Sequence, residues 1–179
     1  MPRPSITWLT TDTHFHHDLM FTLCNRPPDY NEQIIRWWKY YIAPQDTLIH
    51  LGDVMFYKWP YLPLYMEAAN CKKILVLGNH DDSKTAGWFM RNGFDFACDG
   101  LLLGDVYFSH KPVNPLPSQA SLNIHGHWHN TVEPLGDNPR PAWYSDKTHK
   151  LICLEKEHYK PVNLQTIVDL HRKAQDIAA

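Results

Sequence analysis

The sequence has little net charge: 17 Lys and Arg against 19 Asp and Glu leave −2 over 179 residues. That balance supplies no global basic field for long nucleic acids. A small nucleotide is not excluded by it. The four cysteines (Cys24, Cys71, Cys98 and Cys153) are scattered, with no CxxC pair. This argues against a thiolate zinc finger and reads as reduced, buried thiols of a cytoplasmic protein. No apolar run approaches the roughly 18–20 residues of a membrane span. The opening MPRPSITWLTTD lacks the long apolar stretch of a signal peptide. The expectation is therefore a cytoplasmic protein with no membrane partner. Repeats and low-complexity tracts are absent too. What is abundant is histidine, 12 in all, and imidazole is the commonest metal ligand among side chains. With 44% hydrophobic and 13% aromatic residues, a chain of this length can bury one substantial core.

The apolar pattern alternates between strand-like and helix-like runs. Ser5–Thr10, Thr47–Leu51 and Lys73–Leu77 read as strands. Between them, residues 31–42 put Ile34, Ile35, Trp38, Tyr41 and Ile42 on one helical face. Asn31 is the expected cap and Pro44 lies just beyond the end. Ser83 opens an expected helix running to about Asn92. Strand-like runs follow at Phe94–Cys98, Val106–Ser109, Leu122–His125 and Lys150–Leu154. A last helix is capped by Asn163. Proline clusters at 112–117 and 134–141 read as surface loops. The order implies an α/β start with parallel strands, then a β-rich half.

Polar clusters stand directly after the strand-like runs. They are Asp12-Thr13-His14, Gly52-Asp53, Gly78-Asn79-His80-Asp81, His110 and Gly126-His127-Trp128-His129. Ligands of α/β sheets bind beyond the carboxyl ends of strands, so five such clusters can converge. Asp12 with His14, and His127 with His129, are two apart; in extended backbone each pair points one way. The candidate ligands Asp12, His14, Asp53, Asn79, His110, His127 and His129 are too many for one tetrahedral ion. Shared through one carboxylate, they suffice for two. A pair of ions about 3.5–4 Å apart is the usual arrangement for cleaving phosphoesters. Carboxylate, amide and imidazole ligands suit Mn, Fe, Co or Zn, with Mn favoured. Such a site attracts phosphate and lowers the pKa of bound water.

In order, D-x-H, G-D, G-N-H-D, a lone H and G-H-x-H over residues 12–129 resemble the calcineurin-like metallophosphoesterases. DTHFHHDLMFTLCNRP, HLGDV, LGNHD, SHKP, HGHWH and the tail HYKPVNLQTI are similar to a group of small bacterial and phage phosphoesterases. The resemblance implies one domain over 1–179, with two packed mixed β-sheets flanked by helices in a four-layer α-β-β-α sandwich. It implies that Asp12, His14 and His129 hold one divalent ion and Asn79, His110 and His127 a second, with Asp53 bridging. His80 would stabilise the transition state or protonate the leaving oxygen, and Asp81 would orient His80. Hydroxide on the metals would be the nucleophile.

Two departures bear on specificity. Phosphoprotein phosphatases of this superfamily follow G-D with an arginine clamp for phosphate. Here the segment runs Asp53-Val54-Met55-Phe56-Tyr57-Lys58, without arginine. That leans toward a small phosphodiester, with a nucleotide among the candidates. A phosphomonoesterase and a non-catalytic scaffold are the alternatives, and long nucleic acids are disfavoured. The similar group carries glycine where His16 stands.

Other residues have blander readings. Asp81 competes as a helix cap. His50 and His125 read as core histidines, and His149, His158 and His171 as surface ones. His16 and His17 either line the pocket or reach solvent. Trp59, Tyr61 and Tyr65 are core residues or one wall of the pocket. Trp37, Trp38, Tyr40 and Tyr41 read as core and helix surface rather than a base-stacking platform. The same helix offers the surface for a homodimer.

Overall fold

Along the first strands, successive side chains enter different cores. Trp8, Leu48 and Leu75 join one apolar cluster, whereas Leu9, Ile49 and Val76 join another. This is the two-residue period of a sheet covered on both faces. The computed structural model describes residues 3–130 and 140–178. The elements are β1 (Thr7–Thr10), α1 (Met20–Leu23), α2 (Tyr30–Tyr41), β2 (Thr47–His50), a 3₁₀ turn (Trp59–Tyr61), α3 (Leu62–Met66), β3 (Lys72–Val76) and α4 (Ala86–Arg91). Then come β4 (Phe96–Cys98), β5 (Leu101–Leu103), β6 (Val106–Ser109), β7 (Leu122–His125), β8 (His149–Leu151), β9 (Val162–Asn163) and α5 (Leu164–Ala178).

One sheet has the order β4-β3-β2-β1-β9, with β1 to β4 parallel and β9 antiparallel. The other runs β5-β6-β7-β8, with β6, β7 and β8 parallel and β5 antiparallel. The inner core joins Leu9, Ile49 and Val76 of the first sheet to Val106, Phe108, Leu122 and Ile124 of the second. On the outer face of the first sheet, Ile34 and Trp38 of α2, Leu62 of α3 and Phe89 of α4 are fully buried. Ile167 of α5 packs with the inner cluster. Two mixed sheets flanked by helices are thus the observed class.

Local boundaries differ from the sequence reading in definite ways. Asn31 lies inside α2, whose N-cap is Asp29 without a side-chain cap bond. Thr85, not Ser83, caps α4 by accepting from the Trp88 N–H, so that helix is short. Asn163 does cap α5, accepting from Gln165. The strands expected at Phe94–Cys98 and Lys150–Leu154 are Phe96–Cys98 and His149–Leu151. All four cysteines are free; Cys24 and Cys153 are buried and Cys71 and Cys98 half-buried. His149 is buried rather than on the surface, its ring shared between Thr148 and the Val113 carbonyl. Trp38 belongs to the core, while Tyr40 is exposed. Of the proline-rich stretch 134–141, residues 134–139 lie outside the described residues. No helix among the described residues is long and apolar enough to cross a membrane.

Asp46 locks the start of β1 to the turn before β2. Its buried carboxylate accepts from Arg3, the Ile6 and Ala43 N–H groups and Trp8 Nε1. Burial alone raises a carboxyl pKa, but these donors outweigh it and hold Asp46 well below the ordinary value. Its contribution is therefore present above about pH 4 and lost as pH falls. Asp46→Ala leaves several buried donors unpaired and should cost about 3–5 kcal/mol in urea unfolding. A loss below about 1 kcal/mol would contradict this role.

Candidate metal centre

The strand ends continue their pairing into the loops that follow. Asp12 N–H donates to the Gly52 carbonyl at 2.9 Å, and His14 and Phe15 N–H donate to Asp53 and Val54 carbonyls at 3.0 Å. Gly126 N–H reaches the His110 carbonyl, zipping the ends of β6 and β7. Two contacts leave no room for side chains at the glycines. A Cβ on Gly52, where φ is +93°, would stand 2.5 Å from the Gly78 nitrogen, and one on Gly126 would run into Thr11 Oγ1 and Asp12 Oδ2.

The two carboxylates are built alike. Asp12 Oδ2 accepts from the Thr11 hydroxyl and from the His127 N–H, tying β1 to the second sheet. Its other oxygen, Oδ1, is buried and has no hydrogen-bond partner among the described residues. It lies 3.6 Å from His129 Nε2 and 4.0 Å from His14 Nε2. Asp53 Oδ1 accepts from the His80 N–H at 2.8 Å. Asp53 Oδ2 lies 3.5 Å from His14 Nε2 and 3.3 Å from His110 Nε2. His110 Nε2 is 3.1 Å from both Asn79 Oδ1 and His127 Nδ1. All seven sequence candidates thus meet in one place. Asp12, His14 and His129 form one compact group of potential ligand atoms, and Asp53, His110 and His127 another.

The backbone beneath them is unlike the extended one expected. Asp12, His14, Asp53, His127 and His129 all have φ between +44° and +72°. Each left-handed L-residue costs roughly 1–2 kcal/mol, and such strain collects at functional sites. His16 shares it, with φ +62°. Glycine adopts that conformation freely, so a histidine here carries a strain that glycine would not.

Outer contacts hold the rings. His110 Nδ1 donates to the Leu51 carbonyl at 2.7 Å, turning Nε2 inward. His129 Nδ1 faces Glu155 Oε1 at 3.1 Å. Glu155 is paired with Arg26, whose guanidinium also donates to the Asp12 and Thr13 carbonyls. The Tyr30 hydroxyl donates to the His14 carbonyl at 2.5 Å. Neither Arg26 nor Glu155 was singled out by the sequence reading. Arg26 stands in the NRP of the motif stretch, and Glu155 ends a run, LICLE, that reads as apolar.

Several candidates sit elsewhere or act differently. Asp81 takes the N–H groups of Asp53, Val54 and Gly78 at 2.8–3.1 Å, and no bond to the His80 ring is among its contacts. It fixes the two metal-side loops rather than orienting His80 or capping a helix. Burial raises its pKa to about 6. The His80 ring is exposed and 5.5 Å from the His14 ring. His50 and His125 are core histidines, lowered to about 3 by burial. His50 lies between Thr13 and the Gly52 N–H, and His125 between Gly126 and Tyr144. Trp59 packs on Trp88 and Phe89, and the Tyr65 hydroxyl meets His16 at 2.7 Å. The aromatic residues beside His17 and His80 are instead Phe56, in contact with both, and exposed Tyr57. A cavity of about 420 Å³ opens beside Asn79 and His110, lined also by Asp82, Asp99 and Lys111.

Two buried carboxylates facing imidazoles require positive charge. Burial lowers the pKa of His110, but its bond to Asp53 and the charges of Asp12 and Asp53 raise it to about 9. His129 is opposed by burial too, yet Asp12, then Cys24 and Glu155, raise it to about 11. Burial takes His127 down to about 4, so it stays a neutral ligand. The orphaned Asp12 oxygen and the inward imidazole nitrogens therefore fit divalent cations, which would replace the protons. A raised pKa gives stability that is complete below the ordinary 6.5 and lost as pH passes about 9 for His110. Mn²⁺ should accordingly bind more tightly as pH rises from about 6.5 to 9, with proton release. Calorimetry in buffers of different ionisation heat reads this directly; binding without proton release would contradict it.

Comparison with known proteins agrees with this geometry. The family model described as calcineurin-like phosphoesterase matches residues 7–175. The chain is 28% identical over 181 residues to the uncharacterized protein MJ1445 of Methanocaldococcus jannaschii, covering 94% of this chain and 92% of that one. A crystal structure of AQ665 from Aquifex aeolicus, a protein of unknown function, shares the fold with a TM-score of 0.69. At 22% identity, that match covers 93% of this chain and all of the other.

Proposed function

Because this chain belongs to the calcineurin-like phosphoesterase family, we propose that it is a dinuclear-metal phosphoesterase that favours small phosphodiesters. The carrying observation is Asp53 Oδ2, which stands within 3.5 Å of His14 in one ligand group and 3.3 Å of His110 in the other. In this reading Asp12, His14 and His129 would hold one cation and Asn79, His110 and His127 the other, with Asp53 available to both. Mn, Fe, Co and Zn all accept this mixed donor set, and manganese is the ion of this reading. The bound pair would supply Lewis acidity and an activated water nucleophile.

The chain's own groups do the rest. His80 is solvent-facing, and its N–H is fixed on Asp53 Oδ1. Its ring is free to donate to the leaving oxygen. Arg26, buried beside the site, cannot clamp phosphate, because Glu155 and two backbone carbonyls already occupy its guanidinium. A site without that clamp suits the single negative charge of a diester better than the double charge of a monoester. The 420 Å³ cavity beside Asn79 fits a small alcohol portion rather than a polymer. A cytoplasmic protein acting on a free small molecule is consistent with the near-zero charge.

Hydrolysis of bis-p-nitrophenyl phosphate with Mn²⁺ should exceed that of p-nitrophenyl phosphate; a strong preference for the monoester would leave a phosphomonoesterase. His80→Ala should retain both ions and lose about 10²–10⁴-fold in turnover. Wild-type turnover in that variant would discard the role.

A further inference from the structure

A buried imidazole ordinarily uses both ring nitrogens. His50, His110, His125 and His149 all do so here. His17 does not. It is 6% exposed, and among the described residues neither its Nδ1 nor its Nε2 meets a hydrogen-bond partner, whereas the candidate ligand His14 leaves its Nδ1 unpaired. Unsatisfied buried polar groups are rare enough to need a cause.

The ring is held firmly. It stacks on Phe56 with centroids 3.9 Å apart and an interplanar angle of 8°. The His17 N–H donates to the His14 carbonyl at 3.0 Å and lies 3.3 Å from the Tyr30 hydroxyl, while its own carbonyl accepts from Met20. The place is also specific. The His17 ring is 5.4 Å from that of His14, and the His80 ring is 5.5 Å from His14 on its own side. Phe56 touches both, with His80 edge-on at 5.4 Å. His17 and His80 therefore share two neighbours, the candidate ligand His14 and Phe56. A ring fixed in pose, with idle nitrogens beside the candidate ligand His14, can pair with an oxygen that arrives with a ligand.

We propose that His17 is a substrate-binding residue that donates a ring N–H to a phosphoryl oxygen of the bound ester. Every protonation state of imidazole keeps at least one N–H. The inference rests on the phosphoesterase reading above and extends it. It assigns phosphate positioning to a single-donor imidazole in a site whose buried arginine is committed to Glu155.

His17→Phe keeps a flat ring for Phe56 and removes both nitrogens. Mn²⁺-loaded wild type and variant are titrated with inorganic phosphate by calorimetry and assayed on bis-p-nitrophenyl phosphate. The variant should keep the wild-type ion content and an equal or higher Tm. It should bind phosphate about 10- to 100-fold more weakly and raise KM similarly, with kcat changed less. His17→Gln should recover part of the loss through its amide N–H. Phosphate affinity and KM within twofold of wild type in His17→Phe would overturn the proposal, and so would loss of an ion. The two readings fail separately. Normal hydrolysis with unchanged phosphate binding in the variant removes only the His17 role. Phosphate binding that depends on His17, without hydrolysis by the wild type, removes only the phosphoesterase reading.

Discussion

Two buried carboxylates that must stay ionised set the terms for this structure. Asp12 and Asp53 are each 2% exposed, and each has one oxygen tied to a backbone N–H from a neighbouring loop. The second oxygen of each faces imidazole nitrogens. Burying such charges uncompensated costs several kcal/mol per ion, so the site is stable only with positive charge inside it. Protons on His110 and His129 provide that charge in one state, and divalent cations fit the same need in another. The same carboxylates also link the two sheets that the apolar core joins. Asp12 sits on the first sheet, yet its Oδ2 is held by the His127 N–H from the second.

The same demand accounts for the strained backbone. Five of the seven ligand candidates are left-handed, and their loops are over-determined by neighbours. Arg26 holds the Asp12 and Thr13 carbonyls, Tyr30 the His14 carbonyl, and Asp81 the amides of Asp53, Val54 and Gly78. Strain persists where surrounding contacts fix it, and here those contacts radiate from the ligand groups. Arg26 serves twice, since its partner Glu155 also faces His129.

The convergence of the seven candidate residues and the parallel pairing of the first strands are legible in the sequence, because both depend on local pattern. Alternating apolar runs end in polar clusters at Asp12, Asp53 and Asn79, and β1 to β4 are parallel as expected. What escaped depends on contacts distant in sequence. Glu155 meets Arg26 across 129 positions, and nothing in LICLE advertises it. Asp81 next to His80 suggested a pair, but its oxygens turn toward backbone amides of two loops. The spacing of Asp12 and His14 reads as extended backbone, whereas both residues have positive φ, set by contacts from other loops. His149 reads as a surface residue, yet β7 and the loop at Val113 bury it.

The central claim is that the two groups form one dinuclear centre around Asp53. Anomalous diffraction from Mn²⁺-loaded crystals measures this most directly. The account predicts two Mn peaks about 3.5–4 Å apart, with Asp53 Oδ2 between them. A single peak, or manganese bound away from Asp12, Asp53 and His110, would contradict it.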